Sequence, residues 1–208
     1  MMKRIKSLAV LLTGLVAGLS LASVVSAGEI FSFRCLSQTS ATNCVVGQNQ
    51  LSVEVAQGST AGTVVFIFRN TGPLPSSITD IYFDWRDAGD AFAPGTITDG
   101  TGVDFDWGAT PPNLPVGQSI GFTANLAADS NSPTQPNGVN PLEWVMFTFS
   151  GDFASTIADI YSNELRIGIH VQGFGNGGSE SFLVPEPGTL ALLGFGLVGL
   201  AALRRRRG

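Results

Sequence analysis

The chain has 208 residues, 44% of them hydrophobic and 13% charged, with a formal net charge of −5. Between Gly28 and Val184, four arginines (Arg34, Arg69, Arg86, Arg166) face fifteen carboxylates and no lysine, a balance of 4 − 15 = −11. So acidic a surface repels phosphate backbones, which argues against nucleic acid as a partner and favours solubility outside the cytoplasm, divalent cations or basic surfaces.

Met1 to Ala27 has the three parts of a secretory signal. Lys3, Arg4 and Lys6 precede an apolar run from Leu8 to Val25, and Val25-Ser26-Ala27 offers small residues to a signal peptidase. Cleavage is expected between Ala27 and Gly28, leaving a domain over residues 28–183 outside the cytoplasm. Cys35 and Cys44 lie close together near its start, and in an exported protein such a pair reads as one disulfide. A structural zinc needs about four ligands, so two cysteines alone are a poor metal site.

From Glu29 to Phe182 the hydrophobic pattern has a period of two. Val64, Phe66 and Phe68 share a face, as do Ile81, Phe83 and Trp85, then Val103, Phe105 and Trp107. Ile120, Phe122, Ala124 and Leu126 follow, then Val145, Phe147 and Phe149, then Leu165, Ile167, Ile169 and Val171. Apolar and polar faces in alternation describe half-buried antiparallel strands. Thr71-Gly72-Pro73, Ala93-Pro94-Gly95, Pro111-Pro112-Asn113 and Pro136-Asn137-Gly138 supply the turns. The pattern predicts an all-β domain, an antiparallel β-sandwich or jelly-roll-like fold of about eight strands without helices. Residues 129–141 read as a long surface loop, and 173–179 as a flexible run before the exit of the chain.

Several patterns resemble sites. Gly117-Gln118-Ser119-Ile120-Gly121 is a formal GxSxG, with Asp152, Asp159 and His170 following in the order of a hydrolase triad. A nucleophile elbow needs a helix after the serine, whereas the residues after Gly121 continue a strand alternation through Phe122 and Ala124. Gly173-x-Gly175-x-x-Gly178 matches a dinucleotide fingerprint without the helix that receives the pyrophosphate. His170, the single histidine, falls opposite an apolar face and reads as solvent-facing. Asp104 and Asp106, two apart on a strand, are the candidate ligands for calcium, which takes about six to eight oxygens. Against that stands a plain solvated acidic face, and no other cofactor is indicated. Paired carboxylates also serve glycoside hydrolases. Trp85, Trp107 and Trp144 read as core residues rather than a sugar platform.

The last stretch, 184–208, opens with Val184-Pro185-Glu186-Pro187, runs uncharged from Leu190 to Leu203, and reaches Arg204, Arg205, Arg206 and Arg207. Fourteen residues make a helix of about 21 Å against a hydrocarbon core of about 30 Å, a short transmembrane helix stopped by the arginines on the cytoplasmic side. The order of these three parts closely resembles a PEP-CTERM sorting signal. The resemblance implies an exported Gram-negative bacterial protein from an exopolysaccharide- or biofilm-forming cell. It implies recognition of Pro185, Glu186 and Pro187 by an exosortase, a membrane-embedded processing enzyme, after transient membrane insertion. Residues 165–182 also look like the end of the exported domain in other proteins of this kind. The expected function is a non-enzymatic surface or extracellular-matrix protein, structural or adhesive in an exopolysaccharide layer. The alternatives are a calcium-dependent carbohydrate-binding module and a glycan-acting hydrolase.

Overall fold

A computed structural model describes residues 28–87 and 90–185. The expected signal peptide, the cleavage residue Ala27, the apolar run and the recognition residues Glu186 and Pro187 lie outside the described residues, as do Arg204 to Arg207. Among the described residues, no helix is long and apolar enough to cross a membrane.

The chain runs through β1 (Glu29–Ser32), β2 (Arg34–Cys35), α1 (Ala41–Gln50), β3 (Leu51–Gln57), β4 (Thr63–Asn70) and β5 (Ser77–Trp85). It continues through β6 (Thr96–Asp99), β7 (Phe105–Trp107), β8 (Leu126–Ser130), α2 (Thr134–Asn137) and β9 (Trp144–Ser150). The last elements are α3 (Phe153–Ser162), β10 (Leu165–Gln172) and β11 (Glu180–Leu183). One sheet has the order β1-β3-β4-β9-β6 and the other β2-β11-β10-β5-β8-β7, with every strand pairing antiparallel. The two-sheet, all-antiparallel expectation holds.

Period-two patterning places the core between the sheets. Phe66, Phe68, Phe147 and Phe149 from the first sheet surround Phe83 from the second, at ring-centroid distances of 5.4, 6.0, 5.9 and 5.5 Å. All five rings are buried, and truncating a core ring of this kind costs about 3–5 kcal/mol. The Cys35–Cys44 disulfide ties β2 to α1 across a sequence separation of 9, a closure that contributes about 2–3 kcal/mol in the chain-entropy account.

Helices are the first correction. In α3, Asp152 caps the N-terminus by accepting from the Ser155 N–H at 2.9 Å, and Phe153, Ile157 and Ile160 turn one side to the core. In α1 the buried positions are Asn43, Cys44, Gly47 and Gln50, so no apolar stripe announces the helix. A Cβ on Gly47 would meet the Phe182 ring at 2.2 Å; glycine lets that ring pack directly against the helix backbone. Residues 129–141 are not one long loop either. They contain the end of β8 and α2, and Val139 is buried against β5 through a bridge to Ile78.

The second correction concerns β5 and β10. Every residue of β5 is buried, including Asp80 and Asp84, so this strand is covered on both faces. The cover is the segment between β7 and β8, which crosses the outer face of the second sheet as a strap. Leu114 and Phe122 from the strap pack with Tyr82 and Leu183 in a small second core. Leu114 lies so near β10 that a Cβ on Gly168 would meet it at 2.7 Å. Residues 117–120 form a 3-10 turn rather than the expected strand. The final correction is at 180–183: the run after the glycines is an inner strand, β11, paired with β10 and β2.

Candidate functional site

The feature that bears on sorting is the exit of the chain from the fold. Phe182 and Val184 point into the main core, and Leu183 joins the strap core on the other side of the sheet. The Val184 N–H donates to the Ile167 carbonyl at 2.9 Å, and Val184 is 7% exposed. Pro185, the next residue, is exposed and has no N–H to continue the ladder. Of the recognition residues, Pro185 alone is described, and it stands directly at the edge of the folded domain.

Glu180, at the start of β11, fixes this end of the chain to the beginning of the domain. Its buried carboxylate accepts from the Ser37 hydroxyl, from the Thr39 N–H at 2.9 Å and from the Ser40 N–H at 2.5 Å. Ser40 is the N-cap of α1, so the charge also meets the positive end of a helix. Glu180 lies beside the two disulfide sulfurs, but both are spent on each other and form no metal site.

Residues 183–207 match the family model of the PEP-CTERM protein-sorting motif. The chain carries that motif. It implies an exported, surface-associated protein processed by an exosortase-type enzyme. The PEP-CTERM match begins at Leu183, the last residue of β11, so the sorting motif and the fold share a boundary without a spacer. Neither the curated proteins nor the solved structures contain a match to the chain.

The Ser119 hydroxyl donates to the Val116 carbonyl at 2.7 Å inside the 3-10 turn, Asp152 caps α3, and His170 lies 3.4 Å from the Ser181 hydroxyl. The GxSxG residues and their would-be partners are therefore engaged separately. His170 is half-buried rather than solvent-facing; burial lowers its pKa, against an opposing pull from Glu180. The 173–179 glycine run turns β10 into β11, a strand where the fingerprint needs a helix. Trp85 is buried and Trp107 packs on Phe147 and Phe149, whereas Trp144 is half-buried at the start of β9.

Asp104 and Asp106 are both exposed, and the structure brings them together through Asn131. The Asn131 amide nitrogen donates to Asp104 Oδ1 and to Asp106 Oδ2, each at 3.0 Å. Burial raises the pKa of Asp99, the Phe105 N–H opposes it, and the charges of Asp104 and Asp106 raise it further. Asp129 is likewise raised by burial and, to a smaller extent, by Asp106.

Three charged groups beneath the strap, Arg166, Asp84 and Asp80, had no signal in the sequence beyond their place on the polar side of a strand. Arg166 forms an ion pair with Asp84, both side chains buried, and donates to the Ile120 and Gly121 carbonyls at 3.0 and 2.7 Å. Its guanidinium also lies over the Phe122 ring at 5.3 Å. Thr123 N–H donates to the same Asp84 carboxylate at 3.1 Å. Asp80 accepts from Thr79 at 2.7 Å and from Tyr82 at 3.4 Å, while the Tyr82 hydroxyl also contacts the Pro111 carbonyl at 3.0 Å. Burial, opposed by the Thr79 bond, pushes Asp80 up to about 6, and burial with the Asp80 charge raises Tyr82.

Proposed function

We propose that this is a non-enzymatic surface or matrix protein, structural or adhesive within an exopolysaccharide layer. The apolar run Leu190–Leu203 and Arg204 to Arg207 hold the exported domain at the membrane until Pro185, Glu186 and Pro187 are recognised. The carrying observation is the shared boundary of fold and sorting motif at Leu183 to Pro185. A stable two-sheet domain is delivered whole, with Pro185, the first recognition residue, at its edge.

This reading assigns no cofactor; the Asn131 amide donates to both Asp104 and Asp106 at 3.0 Å. Replacing Pro185, Glu186 and Pro187 together by alanine tests the sorting role. The expected result is protein retained in the membrane fraction and depleted from the surface and medium. An unchanged distribution between those fractions refutes it. Loss of matrix cohesion in cells lacking the protein is the matching expectation for the structural role.

A further inference from the structure

The strap does more than seal the second sheet. From Gly108 to Asn125 it carries no charged residue, although the surrounding domain is strongly acidic. Leu114 and Phe122 point down into the fold, yet Val116 and Ile120 are turned outward, 52% and 39% exposed. Val116 holds a left-handed backbone with φ of 58°, a region that a β-branched residue rarely occupies. Pro111 and Pro112 are exposed beside it. An uncharged outer surface, apolar at Pro111, Pro112, Val116 and Ile120 with Gln118 and Ser119 exposed among them, and held partly in a disfavoured backbone conformation, marks an interaction surface rather than a simple plug.

Its position identifies the partner. β10 and β11 pair with Gly168 opposite Leu183, and the Val184 N–H reaches Ile167. One step further along the ladder lies Arg166, whose guanidinium holds the Ile120 carbonyl. Ile120 therefore stands at the end of the sheet where the chain leaves. From Pro185 to Leu190, where the apolar run begins, is five residues, at most about 18 Å of extended chain. Across a cleft of ≈ 560 Å³ from Ile120 and Gly121 lies Arg86, exposed and without an ion pair among the described residues.

We propose that the outer side of the strap, with Arg86, is a lipid-docking surface that lies on the bilayer while the tail is inserted. Val116 and Ile120 enter the headgroup boundary and the Arg86 guanidinium meets lipid phosphate, an arrangement suited to interfacial side chains. The rest of the acidic domain is repelled by anionic lipid, so this face is the one that approaches. Docking holds the exit edge against the membrane and fixes the orientation of Pro185 for the processing enzyme. The inference rests on the membrane-held state proposed above.

The test uses the full chain with a polarity-sensitive dye on Val116→Cys or Ile120→Cys, and on Leu142→Cys as a control. Leu142 is 81% exposed and lies at the other end of β5, near the Val139–Ile78 bridge. The probe is vesicles of phosphatidylethanolamine and phosphatidylglycerol, some with brominated acyl chains. Docking predicts co-sedimentation, with a blue shift and bromine quenching at positions 116 and 120 and neither at 142. Co-sedimentation with all three dyes remaining in water overturns the docking surface and leaves the membrane-held state intact. Failure to co-sediment overturns both. A shift that appears only with native membrane extract overturns lipid docking in favour of a protein partner.

Discussion

Arg166 and Asp84 form a buried ion pair between β10 and β5, closed from outside by backbone carbonyls and an N–H of the strap. Replacing both partners by apolar residues is tolerated in many proteins, but removing one leaves an uncompensated charge, at a cost of about 3–5 kcal/mol. Asp84→Ala is therefore expected to lose about 3–5 kcal/mol of a total that is typically about 5–15 kcal/mol, read as a lower midpoint in urea unfolding. A change below about 1 kcal/mol would contradict the buried pair.

Asp80 gives the domain a pH dependence of definite sign. Its folded pKa of about 6 exceeds the ordinary 3.8, so the folded state favours the protonated carboxyl. Its contribution is most favourable below about pH 4, falls as pH rises towards about 6, and is level above that. Asp80→Asn removes the buried charge and keeps one acceptor oxygen for the Thr79 hydroxyl, while its amide NH2 meets the Tyr82 oxygen, whose hydroxyl can donate to the Pro111 carbonyl. The variant is expected to gain up to about 3 kcal/mol over the parent at pH 8 and nothing at pH 3. Urea unfolding across that range checks it; parallel stability profiles for the two proteins would refute it.

Calcium distinguishes the structural reading from a calcium-dependent module. A site filled at about one hundred times its Kd would add about 2.7 kcal/mol to stability. With Asn131 donating to both Asp104 and Asp106, no such gain is expected, and the melting temperature in millimolar calcium should equal that in chelator. A rise that disappears in Asp104→Asn or Asp106→Asn would establish a cation site and favour the module.

The strands with one wet face were legible in the sequence. β4 and β9 alternate strictly, because Val64, Phe66 and Phe68 pack on the core while Val65, Ile67 and Arg69 do not. β5 alternates just as cleanly and misleads, since its polar face is covered by the strap, from a distant part of the chain. The strap misleads too: Ile120, Phe122, Ala124 and Leu126 alternate like a strand, yet Leu114 and Phe122 are held by a 3-10 turn and by side-chain caps such as Asn113 to the Ala124 N–H at 2.7 Å. α3 had a signal, the Asp152 cap followed by Phe153, Ile157 and Ile160 at helical spacing, obscured by the strand pattern on either side. α1 had none, its buried face being Asn43, Cys44, Gly47 and Gln50.

At the candidate site, the sorting residues were legible because a linear recognition sequence needs no folding to be read. The partners of Glu180 were not, since the Ser37, Thr39 and Ser40 donors lie some 140 positions earlier in the chain.

The central claim is that the domain ends at Val184 and the sorting tripeptide begins at once, to be recognised by a processing enzyme. Intact-mass spectrometry of the protein from cells with and without the exosortase-type enzyme tests it most directly. The account predicts a protein lacking Arg204 to Arg207 when the enzyme is present, cut at or beyond Pro185, and the full tail when it is absent. An intact tail in both, or a cut upstream of Val184 inside β11, would contradict it.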